Sequence, residues 1–380
     1  MANYQTTSDD PVSRLLRLPW VMILLILALS LFGVAVLYSS TITNDVESSL
    51  PVKHAIRIGM AFGFLFVLAL TPIQVWAGIA YPAYFGALIL LFGVEFVGVT
   101  GGGAQRWLQL GPVRVQPSEF MKLALLLALA RYYHGVLSSG ERKFIHHIPA
   151  FIMIIIPVGL VFRQPDLGTA LMLAATGFAV MFFAGLNYWT IILGAISAVI
   201  SAPLAFFYVL KDYQRERVLT ALNPARDPLG AGYQIQQAEI AIGSGGYDGR
   251  GFMNGTQSQL DYIPEQHTDF IFTVIAEEFG FVGSVGMLAA WLVIFAIGLV
   301  IAGRSKSHFG YLAAAGAVIT VAFYVFVNIG MVSGLLPVVG VPLPMISYGG
   351  TVMLTVMAAF ALICAVNLDR DRNLVLNGLV

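Results

Sequence analysis

The chain has 380 residues, of which 58% are hydrophobic and only 11% charged, and its mean hydropathy is +0.83. A soluble protein of this length does not need so much apolar material, so the composition indicates a surface that largely faces lipid. The net charge of zero argues against a nucleic-acid partner, and the single cysteine, Cys364, excludes an intramolecular disulfide and a cysteine-based metal site.

Apolar runs long enough to cross a bilayer recur along the whole chain. The first, from Trp20 to Tyr38, follows Arg14 and Arg17 and lacks a small-x-small cleavage site, so it predicts a retained helix and not a cleaved signal. The eighth run is longer than one span, which indicates a turn outside the membrane or a strong tilt. We therefore predict an all-α integral membrane protein, a single polytopic domain over residues 1–380, with about ten transmembrane helices near residues 20–40, 55–73, 77–98, 118–133, 147–162, 169–186, 188–210, 268–303, 311–333 and 345–368.

One long polar segment, residues 211–266, separates helices 7 and 8. It is too charged to lie in lipid and too rich in glycine to form one regular helix. An even number of helices places both termini on one side of the membrane. The positive-inside rule, which applies weakly to long loops, favours a cytoplasmic side, so the long segment is predicted to be extracytoplasmic. Outside that segment, the predicted cytoplasmic residues are Arg14, Arg17, Arg131, Arg142, Lys143, Arg304, Lys306, Arg370 and Arg372, and the predicted outer ones are Lys53, Arg57, Arg106, Arg114, Lys122 and Arg163.

An aspartate stands where the long segment enters the eighth helix, in the run His267-Thr268-Asp269-Phe270. Partial desolvation at the membrane boundary raises the pKa of a carboxylate, and such a group can act as a general base. The alternative is that Thr268 and Asp269 only cap the start of the helix. Glu277, which shares a helix face with Asp269, is more simply explained by a buried structural hydrogen bond.

A second group of polar residues surrounds the start of the fourth helix. Arg106 and Trp107 follow a triple glycine, and Ser118, Glu119 and Lys122 lie in the first turns of the helix. Glu119 and Lys122, three residues apart, meet on one helix face. Lys122 either binds a phosphate group of a substrate or forms a structural ion pair with Glu119. The glycines do not form a phosphate loop, because no Gly-Lys-Ser/Thr sequence follows them.

Two further motifs lie between apolar helices. Arg163 and Asp166 are close enough in the chain to form a salt bridge within one loop, which is the interpretation we favour. Prolines at 337, 342 and 344 interrupt the last apolar region before Ser347, Tyr348, Gly349 and Gly350. Broken backbone at membrane depth is tolerated where it is buried or lines a cavity. No cluster of residues has the spacing of metal ligands, so no metal site is predicted, although a divalent cation at a diphosphate stays open.

Together these segments resemble the SEDS family of shape, elongation, division and sporulation proteins over nearly the whole chain. The stretch Asn254-Gly-Thr-Gln-Ser-Gln, followed by His-Thr-Asp-Phe, resembles the RodA-like elongation branch. The division-type, FtsW-like branch usually shares only the second part. Arg163-Gln-Pro-Asp-Leu-Gly-Thr-Ala and Pro342-Leu-Pro-Met-Ile-Ser-Tyr-Gly-Gly also match, with Met345 where phenylalanine is commoner.

The resemblance implies a glycosyltransferase of the cytoplasmic (inner) membrane that polymerises lipid II into glycan strands outside the cell. It implies a catalytic role for Asp269, and supporting roles for Trp107, Glu119 and Lys122. A class B penicillin-binding transpeptidase of the cell-elongation complex would be the partner. We predict one inverting displacement of undecaprenyl diphosphate. The predicted substrate-binding residues are Arg106, Trp107, Ser118, Glu119, Lys122, His267, Thr268, Ser347, Tyr348, Gly349 and Gly350, with Arg217 and Arg250 as further candidate cations.

Two other functions fit the same motifs. A lipid II flippase would also use broken helices and a polar cavity, but it needs access from both membrane faces, whereas these motifs cluster on one predicted face. A non-catalytic scaffold for the cell-wall machinery gives no reason for an aspartate beside a polar cleft.

Overall fold

The computed structural model describes residues 11–41, 49–101, 104–111, 113–140, 144–208, 210–228, 230–260, 262–372 and 374. In this part of the chain, eight helices are long and apolar enough to cross a membrane, and α7 and α8 are two further apolar helices. The prediction of about ten spans is confirmed. The helices are α1 (Pro11–Leu16), α2 (Trp20–Thr41), α3 (Leu50–Ala69), α4 (Ile73–Val97), α5 (Pro117–Ser138), α6 (His147–Arg163), α7 (Leu167–Phe183), α8 (Tyr188–Tyr208), α9 (Asp212–Leu222), α10 (Ala231–Gly245), α11 (Thr256–Gln259), α12 (Ile271–Arg304), α13 (His308–Val332) and α14 (Thr351–Leu368).

Helix α13 is the centre of the bundle and packs against α5, α7, α12 and α14. Its run from Ala313 to Ala317 contains only alanine and glycine, which lets neighbouring backbones approach closely. A Cβ atom at Gly316 would lie 2.2 Å from Leu126 of α5 and 2.9 Å from Val180 of α7. These close contacts fix α5 and α7 beside α13, where both helices contribute to the cleft described below.

A short antiparallel sheet, which the sequence reasoning missed, joins α4 to α5. Its strands β1 (Val99–Gly101), β2 (Ala104–Leu110) and β3 (Val113–Val115) pair in chain order. Trp107 lies opposite Val99, and Leu108 lies opposite Val115. The sheet is a small addition to an otherwise helical fold, and it carries Arg106 and Trp107 on its central strand.

Helix α12 is broken within the eighth apolar run, for which we predicted a turn outside the membrane or a strong tilt. Gly280 has a φ of +62° within the helix, a conformation that favours glycine. A Cβ atom at this position would lie 2.3 Å from the backbone nitrogen of Gly249. The turn after α10 therefore packs directly on the broken backbone, and Phe281 N–H donates to the Gly246 carbonyl over 3.0 Å.

The long segment 211–266 folds into short helices, and hydrogen bonds join it to α12. Glu277 accepts hydrogen bonds from the backbone N–H groups of Gln257 (2.8 Å) and Ser258 (3.1 Å) at the start of α11. The structural interpretation of Glu277 is therefore confirmed. Its neighbour Glu278 accepts a hydrogen bond from the Ser39 hydroxyl on α2. Asp261, which the sequence places in the same segment, lies outside the described residues.

Residues 333–350 form no helix or strand, which confirms the predicted broken backbone. The loop packs directly on α2, because a Cβ atom at Gly33 would lie 2.6 Å from Ile346 Cα. Inside the loop, the Ser347 hydroxyl accepts a hydrogen bond from Leu343 N–H (2.7 Å). Tyr348 N–H donates to the His267 carbonyl (2.9 Å) and so joins the loop to the segment that precedes α12.

Candidate active site

A cleft opens at the end of the bundle where the long segment enters α12. Its inner part, about 210 Å³, lies between α5, α7, α13 and the broken loop. Its outer part, about 790 Å³, lies below the sheet and the long segment. The two parts adjoin each other, since five residues line both: Arg106, Trp107, Asp269, Gly340 and Tyr348.

Asp269 lies at the junction of the two parts and is half-buried. It does not cap α12, since the cap residue is Phe270 and no side chain makes a capping hydrogen bond. Its carboxylate receives no hydrogen bond from the residues that the structure describes. The pKa of Asp269 is raised from 3.8 to about 6, mainly by burial and also by the negative charge of Glu265, while the positive charge of Arg106 opposes the shift. The group is thus ionised at neutral pH but basic enough to accept a proton.

The backbone around Asp269 is held by Asn328, a fully buried residue of α13. Its Nδ2 donates to the Asp269 carbonyl (2.8 Å) and to the Val341 carbonyl (2.7 Å). In the same loop Gly340 has a φ of +71°, and a Cβ atom there would lie 3.2 Å from Asp269 Oδ2. The sequence reasoning missed Asn328, although an amide in an apolar helix is a signal of function or buried bonding.

Lys122 is buried and paired inside the protein. Its Nζ lies 2.7 Å from Glu119 Oε1 and 4.3 Å from the centre of the Tyr324 ring. The Tyr324 hydroxyl donates a hydrogen bond to the other oxygen of Glu119. All three residues line the inner cleft. The positive charge of Lys122 is therefore already neutralised, and the three side chains form a rigid wall of the cavity.

Asp166 connects the sheet to the bundle. It accepts a hydrogen bond from Gln116 (3.1 Å), caps α7 through Thr169 N–H (3.2 Å) and lies 3.5 Å from the Arg106 guanidinium. The predicted salt bridge between Arg163 and Asp166 is wrong. Arg163, at the end of α6, instead lies 3.6 Å from Glu95. Asp166 orients Arg106, a role that its local sequence does not reveal because Arg106 lies far away in the chain.

The outer cleft is lined by four arginines, Arg57, Arg106, Arg114 and Arg217. The Arg57 guanidinium lies 4.4 Å from the centre of the Tyr348 ring. Guanidinium groups bind phosphate oxygens with two parallel hydrogen bonds. The four arginines outnumber the two carboxylates of the outer cleft, Glu265 and Asp269, so the cleft favours an anionic ligand. Arg250, a candidate from the sequence, instead approaches the Ser244 carbonyl at 3.4 Å and does not line this cleft.

Most of the predicted substrate-binding residues meet in the cleft. Three do not line it: Ser118 is buried in the first turn of α5, Ser347 bonds within its own loop, and the His267 ring lies 3.3 Å from the Ser40 hydroxyl. Among the described residues, no group of three or more His, Cys, Asp or Glu side chains could hold a metal ion. The predicted residues that line the cleft are Arg106, Trp107, Glu119, Lys122, Thr268, Asp269, Tyr348, Gly349 and Gly350.

The family model for cell cycle proteins of the FtsW, RodA and SpoVE type matches residues 18–372. The chain belongs to this family. The resemblance inferred from the four motifs is therefore confirmed. Escherichia coli (strain K12) peptidoglycan glycosyltransferase MrdB is 42% identical over 349 residues, which cover 92% of this chain and 93% of MrdB. The probable peptidoglycan glycosyltransferase FtsW of Idiomarina loihiensis is 34% identical, over 92% of this chain and 86% of that protein.

Solved structures of family members have the same fold. The rod shape determining protein RodA of Thermus thermophilus is 28% identical and superposes with a TM-score of 0.70, covering 93% of this chain and 98% of RodA. A chain of a peptidoglycan synthase complex, described for its structural coordination of polymerization and crosslinking, is 33% identical with a TM-score of 0.81. That match covers 93% of this chain and 98% of the other.

Proposed function

We propose that this chain is a peptidoglycan glycosyltransferase that polymerises lipid II into glycan strands during cell elongation. The observation that carries the proposal is the carboxylate of Asp269, which opens onto a cleft lined by four arginines and receives no hydrogen bond from the described residues. The 42% identity to a peptidoglycan glycosyltransferase over most of both chains supports the same activity.

The reaction is a single inverting displacement. The sugar of lipid II is α-linked to a diphospholipid and the glycan product is β-linked, so one base is sufficient. Asp269 accepts the proton of the acceptor hydroxyl while that oxygen bonds to the anomeric carbon and the bond from this carbon to the diphosphate breaks. A base positioned in this way contributes roughly 10²–10⁴-fold to the rate.

The leaving undecaprenyl diphosphate keeps the electron pair of the broken bond. Positive groups that are already in place stabilise this developing charge without reorganisation. We assign this role to Arg106, which Asp166 orients, and to Arg57 and Arg217 in the outer cleft. Lys122 contacts the substrate at the inner wall as part of its pair with Glu119, and its neutralised charge makes it a weaker diphosphate ligand than Arg57 and Arg217. Trp107, Thr268, Tyr348, Gly349 and Gly350 line the sugar-binding surface.

We place residues 1–380 in the cytoplasmic membrane as one multi-pass unit. Both termini are cytoplasmic and the cleft is extracytoplasmic, where lipid II is polymerised. The count of basic residues outside the long segment supports this orientation, and the anionic diphosphate accounts for the arginines on the outer face.

The proposed partner is a class B penicillin-binding transpeptidase, which crosslinks the strands that this enzyme makes. The support is the similarity to a chain of a complex in which polymerization and crosslinking are coordinated. The elongation role is supported by the higher identity to MrdB than to the division-type FtsW sequences, 42% against 34%.

The test is glycan synthesis from purified lipid II by the purified protein with its transpeptidase partner. We expect strands longer than the starting disaccharide, and their formation should require Asp269. A flippase would form no strands under these conditions but would move lipid II across the membrane of a liposome. Translocation without polymerisation would overturn the proposed function.

A further inference from the structure

An apolar groove runs between α7 and α13 beside the cleft. Its volume is about 290 Å³. Leu171 and Ala175 of α7 form one side, Phe323 and Phe326 of α13 form the other, and Pro337 of the broken loop closes the upper end. Every residue that lines it is apolar, so it has no means of binding a sugar or a phosphate.

The groove adjoins both parts of the cleft. Met172 lines the groove and the inner cleft, and Val339 lines the groove and the outer cleft. Gly168 lets the broken loop pack closely on the start of α7, because a Cβ atom at this glycine would lie 2.7 Å from Val339 Cβ. The next residue after Val339 is Gly340, which approaches the carboxylate of Asp269. The apolar groove therefore adjoins the proposed reaction centre.

The depth of the groove matches one leaflet of a bilayer. On α7 it extends from Gly168 to Ala175, which corresponds to roughly 11 Å along the helix axis. On α13 it begins at Phe323, roughly 14 Å from the end of the helix at Val332. Half of a hydrocarbon core is about 15 Å thick. The groove therefore lies in the leaflet on the side of the cleft.

We propose that this groove binds the isoprenoid tail of a lipid-linked sugar whose diphosphate lies among the arginines of the cleft. The inference rests on the proposed function, since it concerns how the same substrate is held. An amphiphilic substrate needs a charged and an apolar site that adjoin each other, and this pair of cavities meets that requirement. Another apolar groove, between α4 and α6, is larger at about 610 Å³ but shares no lining residue with the cleft.

The first test compares substrates with long and short tails. Ala175→Trp fills the groove, and Ile89→Trp fills the α4–α6 groove in the same leaflet as a matched control. In Ala175→Trp we expect the ratio of KM for the C55 substrate to KM for a C5 analogue, whose single isoprene unit is too short to fill the groove, to rise about tenfold, which corresponds to about 1.4 kcal/mol. The ratio in Ile89→Trp should equal that of the unaltered protein. An unchanged ratio in Ala175→Trp, or an equal rise in both variants, would overturn the inference.

The second test needs no turnover and remains decisive if Ala175→Trp does not fold. A benzophenone amino acid replaces Phe326 in the groove or, as a control, Phe92 in the α4–α6 groove; both side chains are exposed. After illumination in vesicles, labelled lipid II should crosslink at Phe326 and not at Phe92. Equal crosslinking at both positions, as expected for ordinary contact with bilayer lipid, would overturn the inference. Crosslinking at Phe326 without any glycan synthesis would instead refute the proposed function and leave the tail site standing.

Discussion

Replacing Asp269 with asparagine removes the proposed base and keeps the size of the side chain. The change disturbs little else, because the carboxylate accepts no hydrogen bond from the described residues and α12 is not capped by this side chain. We expect the rate of glycan synthesis to fall about 10²–10⁴-fold, which corresponds to about 3–5 kcal/mol of transition-state stabilisation. The assay is strand formation from lipid II by the purified protein with its partner.

The pH profile of the unaltered protein gives an independent measure. With a pKa of about 6, Asp269 is almost fully ionised at pH 8, and about a tenth of the molecules carry the charge at pH 5. If the ionised form is the base, activity is constant above neutrality and falls about tenfold per pH unit below pH 6. The residual activity of Asp269→Asn should not show this decline.

The same substitution should also raise stability at neutral pH. The folded-state pKa of Asp269 lies above its ordinary value of 3.8, so folding binds a proton and the ionised carboxylate disfavours the folded state. This cost is fully present above pH 6 and disappears as the pH falls below 3.8. A shift of about two units sets an upper limit of about 3 kcal/mol, which partial exposure to solvent reduces. Asp269→Asn should therefore unfold at a higher temperature than the unaltered protein at pH 8, and at the same temperature near pH 3.

Two results would refute the reasoning. Near-normal strand synthesis by Asp269→Asn, at matched expression and partner binding, would leave the mechanism without its base. A flat activity profile of the unaltered protein between pH 8 and pH 5 would show that no group titrating near pH 6 takes part in the rate-limiting step.

Three further predictions concern the supporting residues and the topology. Asn328→Leu should lower kcat by about ten- to a hundredfold with little change in KM, because Asp269 loses its fixed position; a fall in thermal stability with unchanged kcat in the folded fraction would contradict this. Lys122→Ala should destabilise the protein by about 3–5 kcal/mol, since it leaves a buried carboxylate unpaired, whereas Tyr324→Phe, which removes only a hydrogen bond, should cost about 1–3 kcal/mol; chemical denaturation in detergent measures both. In intact spheroplasts, a membrane-impermeant thiol reagent should label Leu222→Cys and not Ser139→Cys, and the reverse pattern would invert the proposed orientation.

Much of the fold follows from local patterns in the sequence. An apolar run of about 20 residues must satisfy its backbone within one helix when it lies in lipid, so hydropathy alone locates the spans. The prolines at 337, 342 and 344 prevent a regular helix for an equally local reason. Gly280 allows the break in α12, but the position of the break became clear only from the turn after α10 that packs on this glycine. The β-sheet between α4 and α5 was missed because its strands are short.

The sequence also indicated Asp269 as the candidate base, because a carboxylate at the edge of an apolar helix is costly unless it has a use. It could not determine which groups share the cleft with Asp269. Arg106 is oriented by Asp166, sixty residues later in the chain, and Asn328 holds the backbone of Asp269 across a similar distance. The sequence left open whether Lys122 faces a substrate or Glu119. In the structure Lys122 pairs with Glu119, which also accepts a hydrogen bond from Tyr324 of α13. Such contacts arise from the packing of whole helices, whose side-chain periodicity defines a face but not the neighbour that the face meets. The local sequence could therefore indicate a single candidate residue. Which residues act together in one site was decided only by the tertiary structure.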